Sequence, residues 1–274
     1  MKLHIGQSGL VSLASADRQR VLADIRAFGF TKVRYEVPLH AWGFPWQPYD
    51  WNAMRQTQMA LQAVRMDALP VLGAHQPLFW KTSAKQYGQW CVDALKLISD
   101  TTSHLPTEVE VWNEPNLINF WGRADPKTFY PYAQEAYDRI KAAYPNVTVA
   151  LAGMAAAATG IQWPFVGGPK DPVSFVQTMT EQAKGKKFYD RLAYHPYNLN
   201  EGFQVAKPDP DLFGIKALSR MQALTPDTEV LVTEVGYQTT GKLGDYHDLE
   251  KHLHLLGDRD EVYLYCWRDA DRER

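Results

Sequence analysis

No apolar run in this 274-residue chain approaches the roughly 20 residues needed to span a bilayer. Charge of one sign is equally scarce. Lys and Arg number 29 against 31 Asp and Glu, a net charge of −2, which argues against an electrostatic grip on nucleic acid or membrane. Cysteine is limited to Cys91 in a helical pattern and Cys266 in a terminal strand pattern. They read as two buried thiols rather than a disulfide framework or a metal cluster. The opening Met1-Lys2-Leu3-His4-Ile5-Gly6 lacks the apolar stretch of a signal peptide. Location therefore stays open between the cytoplasm and a portion of a larger cell-surface or virion protein. Gly6-Gln7-Ser8-Gly9 lacks the third glycine and the acidic partner of a dinucleotide loop. Linkers, repeats and low-complexity tracts are absent too, so residues 1–274 are expected to form a single domain.

What is present is a regular alternation. Strand-like runs fall at Leu3–Gln7, Lys32–Val37, Pro70–Ala74, Glu108–Trp112, Thr148–Gly153, Arg191–His195, Glu229–Glu234 and Glu261–Trp267. Helix-period segments lie between them, near Ala16–Phe28, Trp51–Met66, Ala84–Asp100, Pro126–Tyr144, Pro172–Lys184, Pro210–Leu224 and Tyr246–Leu256. Ser15-Ala16-Asp17, Asp125-Pro126, Asp171-Pro172 and Asp209-Pro210 supply start signals. Eight strands alternating with helices predict a (β/α)8 TIM barrel, with an open doubly wound sheet as the rival. The chain ends soon after the eighth strand, so the eighth helix is expected to be absent or vestigial. The groove it would cover is then available to a downstream domain or a partner.

The long segments follow strands: His40–Trp51, Gln76–Ser83, Pro115–Asp125, Ala155–Asp171 and Tyr197–Asp209. On a parallel barrel these gather at the C-terminal face, where active sites are built. Nine tryptophans and fourteen tyrosines are present, and Trp42, Trp46, Tyr49, Trp51, Trp80, Trp121 and Trp163 fall in loop-like stretches. As a group they suggest a groove for flat ligand faces; singly, each also suits loop packing. Two carboxylates close apolar runs on the same face, Glu114 on the fourth strand and Glu234 on the seventh. Such a pair suits glycosidic bond cleavage. A separation of about 5 Å would fit double displacement, and about 6.5–9.5 Å would leave room for a water and give inversion. His247, His252 and His254 share a helix, but His252 and His254 cannot share a face, and no metal site is expected there.

Trp112-Asn113-Glu114-Pro115-Asn116 resembles the acid/base strand of the clan A glycoside hydrolases, and Thr233-Glu234-Val235-Gly236-Tyr237 resembles their nucleophile strand. Tyr194-His195-Pro196-Tyr197, Trp267 and Arg34 resemble the clan's supporting positions, and the "WNEPN" and "TEVG" forms look closest to family 39 and its polysaccharide-cleaving relatives. The resemblance implies Glu114 as general acid and base, Glu234 as nucleophile and a retaining outcome. It also implies Asn113 on the sugar 2-hydroxyl, His195 and Tyr197 holding Glu234 and the sugar, Arg34 keeping Glu234 ionised and Trp267 under the ring. Trp42 and Trp121 join these as candidate substrate contacts. Arg34 pairing with Glu36 is the structural alternative. An oligo- or polysaccharide is the expected substrate, cut internally, with no metal or other cofactor required. A barrel that binds glycans without cutting them, as a module of a larger assembly, is the alternative function.

Overall fold

Eight parallel strands close into a ring in the computed structural model of the chain, which describes residues 1–41, 44–48, 51–73, 82–122, 124–157, 170–197, 213–236 and 243–265. For 40, 41, 44–48, 213, 243–246 and 248 only the backbone is described. The strands are β1 (Lys2–Gly6), β2 (Lys32–Val37), β3 (His40–Ala41), β4 (Phe44–Pro48), β5 (Asp67–Leu72), β6 (Glu108–Asn113), β7 (Thr148–Ala155), β8 (Arg191–His195), β9 (Leu231–Val235) and β10 (Glu261–Tyr265). The barrel order is β1-β10-β9-β8-β7-β6-β5-β2, closed by the β1–β2 pairing, while β3 and β4 form a separate antiparallel hairpin. The helices are α1 (Ser15–Ala27), α2 (Trp51–Ala63), α3 (Ala84–Thr102), α4 (Pro126–Ala143), α5 (Pro172–Ala183), α6 (Phe213–Ala223) and α7 (Leu243–Leu255). Among the described residues no helix follows β10. The architecture is a TIM barrel with seven α-helices among the described residues. No helix among the described residues is long and apolar enough to cross a membrane.

Local chemistry starts and stops these elements. Asp125 and Asp171 cap α4 and α5, accepting from the backbone N–H of Lys127 and Ser174 at 2.9 Å, each followed by a proline at the first helical position. Ser83 and Gln86 form a reciprocal capping box on α3. The expected start of α1 differs. Its N-cap is Ala14, with no side-chain bond, and Asp17 instead pairs with Arg20 at 3.0 Å. The third barrel strand also begins earlier than Pro70. Arg65, at φ 53°, turns the chain out of α2, and Asp67 already pairs with Lys32. Trp51 lies in the first turn of α2 against Trp90, with centroids 6.1 Å apart, rather than in a loop.

An outer apolar layer fills the space between strands and helices, with Val33, Val109, Val111, Leu151, Leu95, Phe129 and Val176 buried in it. Leu69, Ala150, Ala193, Leu231 and Tyr263 form a smaller inner cluster. Register places Arg34 beside Leu69 and Glu110 beside Ala150, so these charged residues share the lumen with the inner cluster. At the N-terminal end a cavity of about 500 Å³ is lined by Lys2, Lys32, Thr107, Glu108, Thr148, Arg191, Asp260 and Glu261. Two ion pairs stand in it, Lys32 with Glu261 at 3.0 Å and Arg191 with Glu108 at 3.3 Å. This end of a barrel serves stability; the opposite end carries the site.

Candidate active site

The fourth barrel strand, β6, breaks the ordinary in–out alternation where it reaches the mouth. Val111 and Trp112 both pack outward. The Trp112 ring meets Tyr87 and Trp121 edge-on at 5.4 Å each, and its Nε1–H donates to the Phe120 carbonyl at 3.1 Å. Asn113 and Glu114 then both turn inward. Two positive φ values allow this, 73° at Trp112 and 44° at Glu114. Bulky residues rarely adopt that conformation, so surrounding contacts must hold it. Pairing with β7 survives, since Asn113 stays opposite Gly153 and the Glu114 N–H donates to the Gly153 carbonyl at 3.0 Å.

The inward side chains meet partners from β2, β8 and β9. Arg34 is 2% exposed. Its Nε and Nη2 fork onto the Glu110 carboxylate at 2.8 and 2.9 Å, Nη2 also reaches Asn113 Oδ1 at 2.7 Å, and Nη1 reaches Glu234 Oε1 at 2.5 Å. His195 Nδ1 lies 2.8 Å from Glu114 Oε1 and 3.7 Å from Glu234 Oε2, while its Nε2 meets Thr233 Oγ1 at 3.0 Å. The Tyr197 hydroxyl donates to Glu234 Oε2 at 3.3 Å. One oxygen of each of Glu114 and Glu234 and a ring nitrogen of His195 lie within 4.8 Å of one another. This crowding requires a glycine at position 153, where a Cβ would run into the imidazole of His195 and the Thr233 hydroxyl.

Supports stand behind the cluster. Asn116, fully buried, exchanges two bonds of 2.9 Å with the Ala155 backbone and donates to the Lys170 carbonyl. The buried His252 on α7 bonds the Pro196 carbonyl at 2.9 Å, which fixes the turn carrying Tyr197.

The electrostatics divide the carboxylates. Burial pushes Glu114 up to about 8; Arg34 opposes that, and Glu36 and Glu110 add to it. Burial raises Glu234 too, against the pull of His195 and Arg34. Glu110 is held below the usual carboxylate range although burial opposes its charge, because Arg34 sits on it. His195 is lowered, chiefly by burial, against the pull of Glu234. A cation could in principle find an O, N, O set at Glu114, His195 and Glu234. Here the proton on Glu114 and the guanidinium on Glu234 already take up those charges.

The structure brings Glu114, Glu234, Asn113, His195, Tyr197 and Arg34 to one place. Trp121 does not join them: it is 3% exposed, stacked edge-on with Phe129 and Tyr132, with Nε1–H donating to Thr128. It is a packing residue, because no face is open to a ligand. Trp42 and Trp267 lie outside the described residues. Arg34 pairs with Glu110 rather than Glu36, which instead accepts from Ser8 at 3.3 Å. His195 bonds Glu114 more closely than Glu234. Sequence reasoning missed Glu110, Thr233 and Gly153; the overlooked signal was a carboxylate in the middle of the apolar strand run Val109-Glu110-Val111.

No family model matches the chain. A monomeric beta-xylosidase from Caulobacter crescentus CB15 superposes with a TM-score of 0.68 at 19% identity, over 97% of this chain and 59% of its own. A GH39 enzyme from Xanthomonas axonopodis pv. citri gives 0.66 at 20% identity, over 96% and 57%. At these identities the likeness shows the fold, a closed eight-stranded parallel barrel. An endo-beta-1,4-mannanase from Thermotoga petrophila superposes with a TM-score of 0.64 at 13% identity, over 98% of this chain and 69% of its own. Among curated proteins, a beta-xylosidase of Geobacillus stearothermophilus is 27% identical over 45% of this chain and 28% of its own length. The chain thus spans less than two thirds of the first two structures and a smaller part of the curated relative.

Proposed function

We propose that this chain is a glycoside hydrolase acting by double displacement, with Glu234 as nucleophile and Glu114 as general acid and then base. The observation that carries the reading is a proton-holding carboxyl within 4.8 Å of a guanidinium-bound carboxylate at the mouth of a barrel. That separation supports retention, since inverting pairs stand about 6.5–9.5 Å apart to admit a water. Likeness to beta-xylosidases and mannanases supports a β-linked pyranoside as substrate.

In the first step Glu234 attacks the anomeric carbon. The glycosidic C–O bond breaks, and its electron pair takes the proton of Glu114 as the leaving group departs. A glycosyl ester of Glu234 remains. Glu114, now ionised, removes a proton from water, which attacks the same carbon and frees Glu234. One histidine tautomer serves both protonation states of Glu114. With Nδ1–H donating to Glu114 Oε1, and Nε2 accepting from Thr233, both bonds survive whether Oε2 carries the proton or not. Oε2 is thereby the oxygen that exchanges protons with substrate and water. Asn113 has its Oδ1 taken by Arg34, so its amide N–H faces the sugar 2-hydroxyl. Tyr197 holds the Glu234 oxygen not bound by Arg34.

Internal cleavage of a polysaccharide is the finer form of this reading, supported by the aromatic loop sequences. It would show as a fall in viscosity ahead of the release of reducing ends. The principal test is Glu234→Ala with aryl β-xylosides and β-mannosides. Turnover should fall on the order of 10⁴-fold or more, and added azide should restore it with a glycosyl azide of inverted configuration as product. Parental turnover in that variant would remove Glu234 from its role. Binding of glycans without any hydrolysis by the parent would favour the non-catalytic alternative.

A further inference from the structure

The Arg34 guanidinium serves two carboxylates, and they hold it differently. Glu110 takes the planar fork with both oxygens at 2.8 and 2.9 Å, whereas Glu234 makes a single end-on contact at 2.5 Å. Fork pairing is the more directional and persistent arrangement. Glu110 is fully buried, and its Oε1 also accepts the Gly153 N–H at 2.7 Å, so water cannot replace its partner. Among the described residues, the groups that act on Glu234 are Arg34 and Glu36 from β2, Glu114 just after β6, and His195 and Tyr197 from β8 and the turn beyond it. Among these, Arg34 is the permanent cation.

Double displacement changes this balance. When the ester forms, the new bond from Glu234 to the anomeric carbon removes the negative charge of Glu234, while the leaving oxygen takes the proton of Glu114. A guanidinium with Glu234 as its sole partner would then be a buried, unpaired cation, among the costliest situations in a protein interior. We propose that Glu110 is the standing counter-ion of Arg34, a positioning residue that keeps the guanidinium paired throughout the covalent intermediate and aims it at Glu234. The proposal rests on the reading of Glu234 as nucleophile. It assigns the two carboxylates of one guanidinium different duties: Glu110 compensates charge permanently, and Glu234 is free to lose its own.

The test separates the two chemical steps. Glu110→Gln keeps the shape and removes the charge. With an aryl glycoside bearing a good leaving group, kcat/KM reports ester formation and should fall on the order of 100-fold. Breakdown of the preformed ester should change by less than about 5-fold, because the intermediate itself has become less stable. Glu110→Asp, which keeps the charge, should restore the parental ratio of the two steps. Equal slowing of both steps in Glu110→Gln would mark Glu110 as merely structural and overturn the proposal. A melting arm needs no turnover. Glu234→Gln should unfold within about 5 °C of the parent, since Arg34 keeps Glu110, and the double variant should lose more than the sum of the singles. A larger loss in Glu234→Gln alone, or additive losses, would overturn the pairing. A parent inactive on every xyloside and mannoside would sink the hydrolase reading instead, and the melting arm would still decide on Glu110.

Discussion

Glu114 illustrates how a residue's environment sets its chemistry. Its carboxyl, pushed by burial up to about 8, holds its proton at neutral pH, as a general acid must. The alkaline limb of the kcat/KM profile should therefore fall through pH of about 8 and disappear in Glu114→Gln with a substrate whose leaving group needs no acid. The same shift makes a stability prediction. A carboxyl whose folded value lies above its unfolded one folds with proton uptake, so its contribution is complete below the unfolded value. That contribution drains away as pH climbs to about 8. Melting temperature from pH 5 to 9 should thus decline more steeply in the parent than in Glu114→Gln; parallel curves would contradict the shift. The paired carboxylates were legible in the sequence because each ends an apolar run at a strand tip. Glu110 was not. Polar–apolar alternation in Glu108-Val109-Glu110-Val111 looks like a strand with one wet face, and only closure turns that face into a lumen where Arg34 is already buried.

At the scale of elements, β6 is the part whose geometry matters most to the site. Its two positive φ values are held from behind by the aromatic wall of Tyr87, Trp112, Trp121 and Phe129, in which Trp112 and Phe129 lie 6.4 Å apart. Trp112→Ala should cost about 3–5 kcal/mol of stability. It should also lower kcat more than KM rises, as the end of β6 loosens and Glu114 loses its aim; calorimetry and steady-state kinetics check the two halves. Most elements could be read from period and caps, as with Asp125-Pro126 and Asp171-Pro172. The start of β5 could not, because Met66-Asp67-Ala68-Leu69 carries a helix-compatible pattern and the αL turn at Arg65 has no glycine to announce it. The β3–β4 hairpin was hidden as well, in a stretch dense in tryptophan and proline that reads as irregular loop.

Across the whole molecule the two ends of the barrel have separate tasks. The C-terminal mouth gathers Glu114 and Glu234; the N-terminal cavity gathers paired charges such as Arg191 with Glu108. Arg191→Met should therefore lower the melting temperature by a few degrees, on the order of 1–2 kcal/mol, while kcat stays within about 2-fold of the parent. A loss of kcat without a loss of stability would tie the two ends together. Barrel closure was legible from eight alternating units and from the length of the segments after each strand. The ligand was not, because discrimination depends on the geometry of long segments, which a sequence does not give.

The turn-inward of Asn113 and Glu114 also makes residues 110–114, the end of β6 and the residue after it, a fixed ruler. Glu110, which holds the arginine, and Glu114, which meets His195, are marks on the same five-residue scale. One residue inserted between those marks should swing Glu114 away from His195 and towards the helices. Descendants of this chain can lengthen almost any segment beyond the strands, but not that interval.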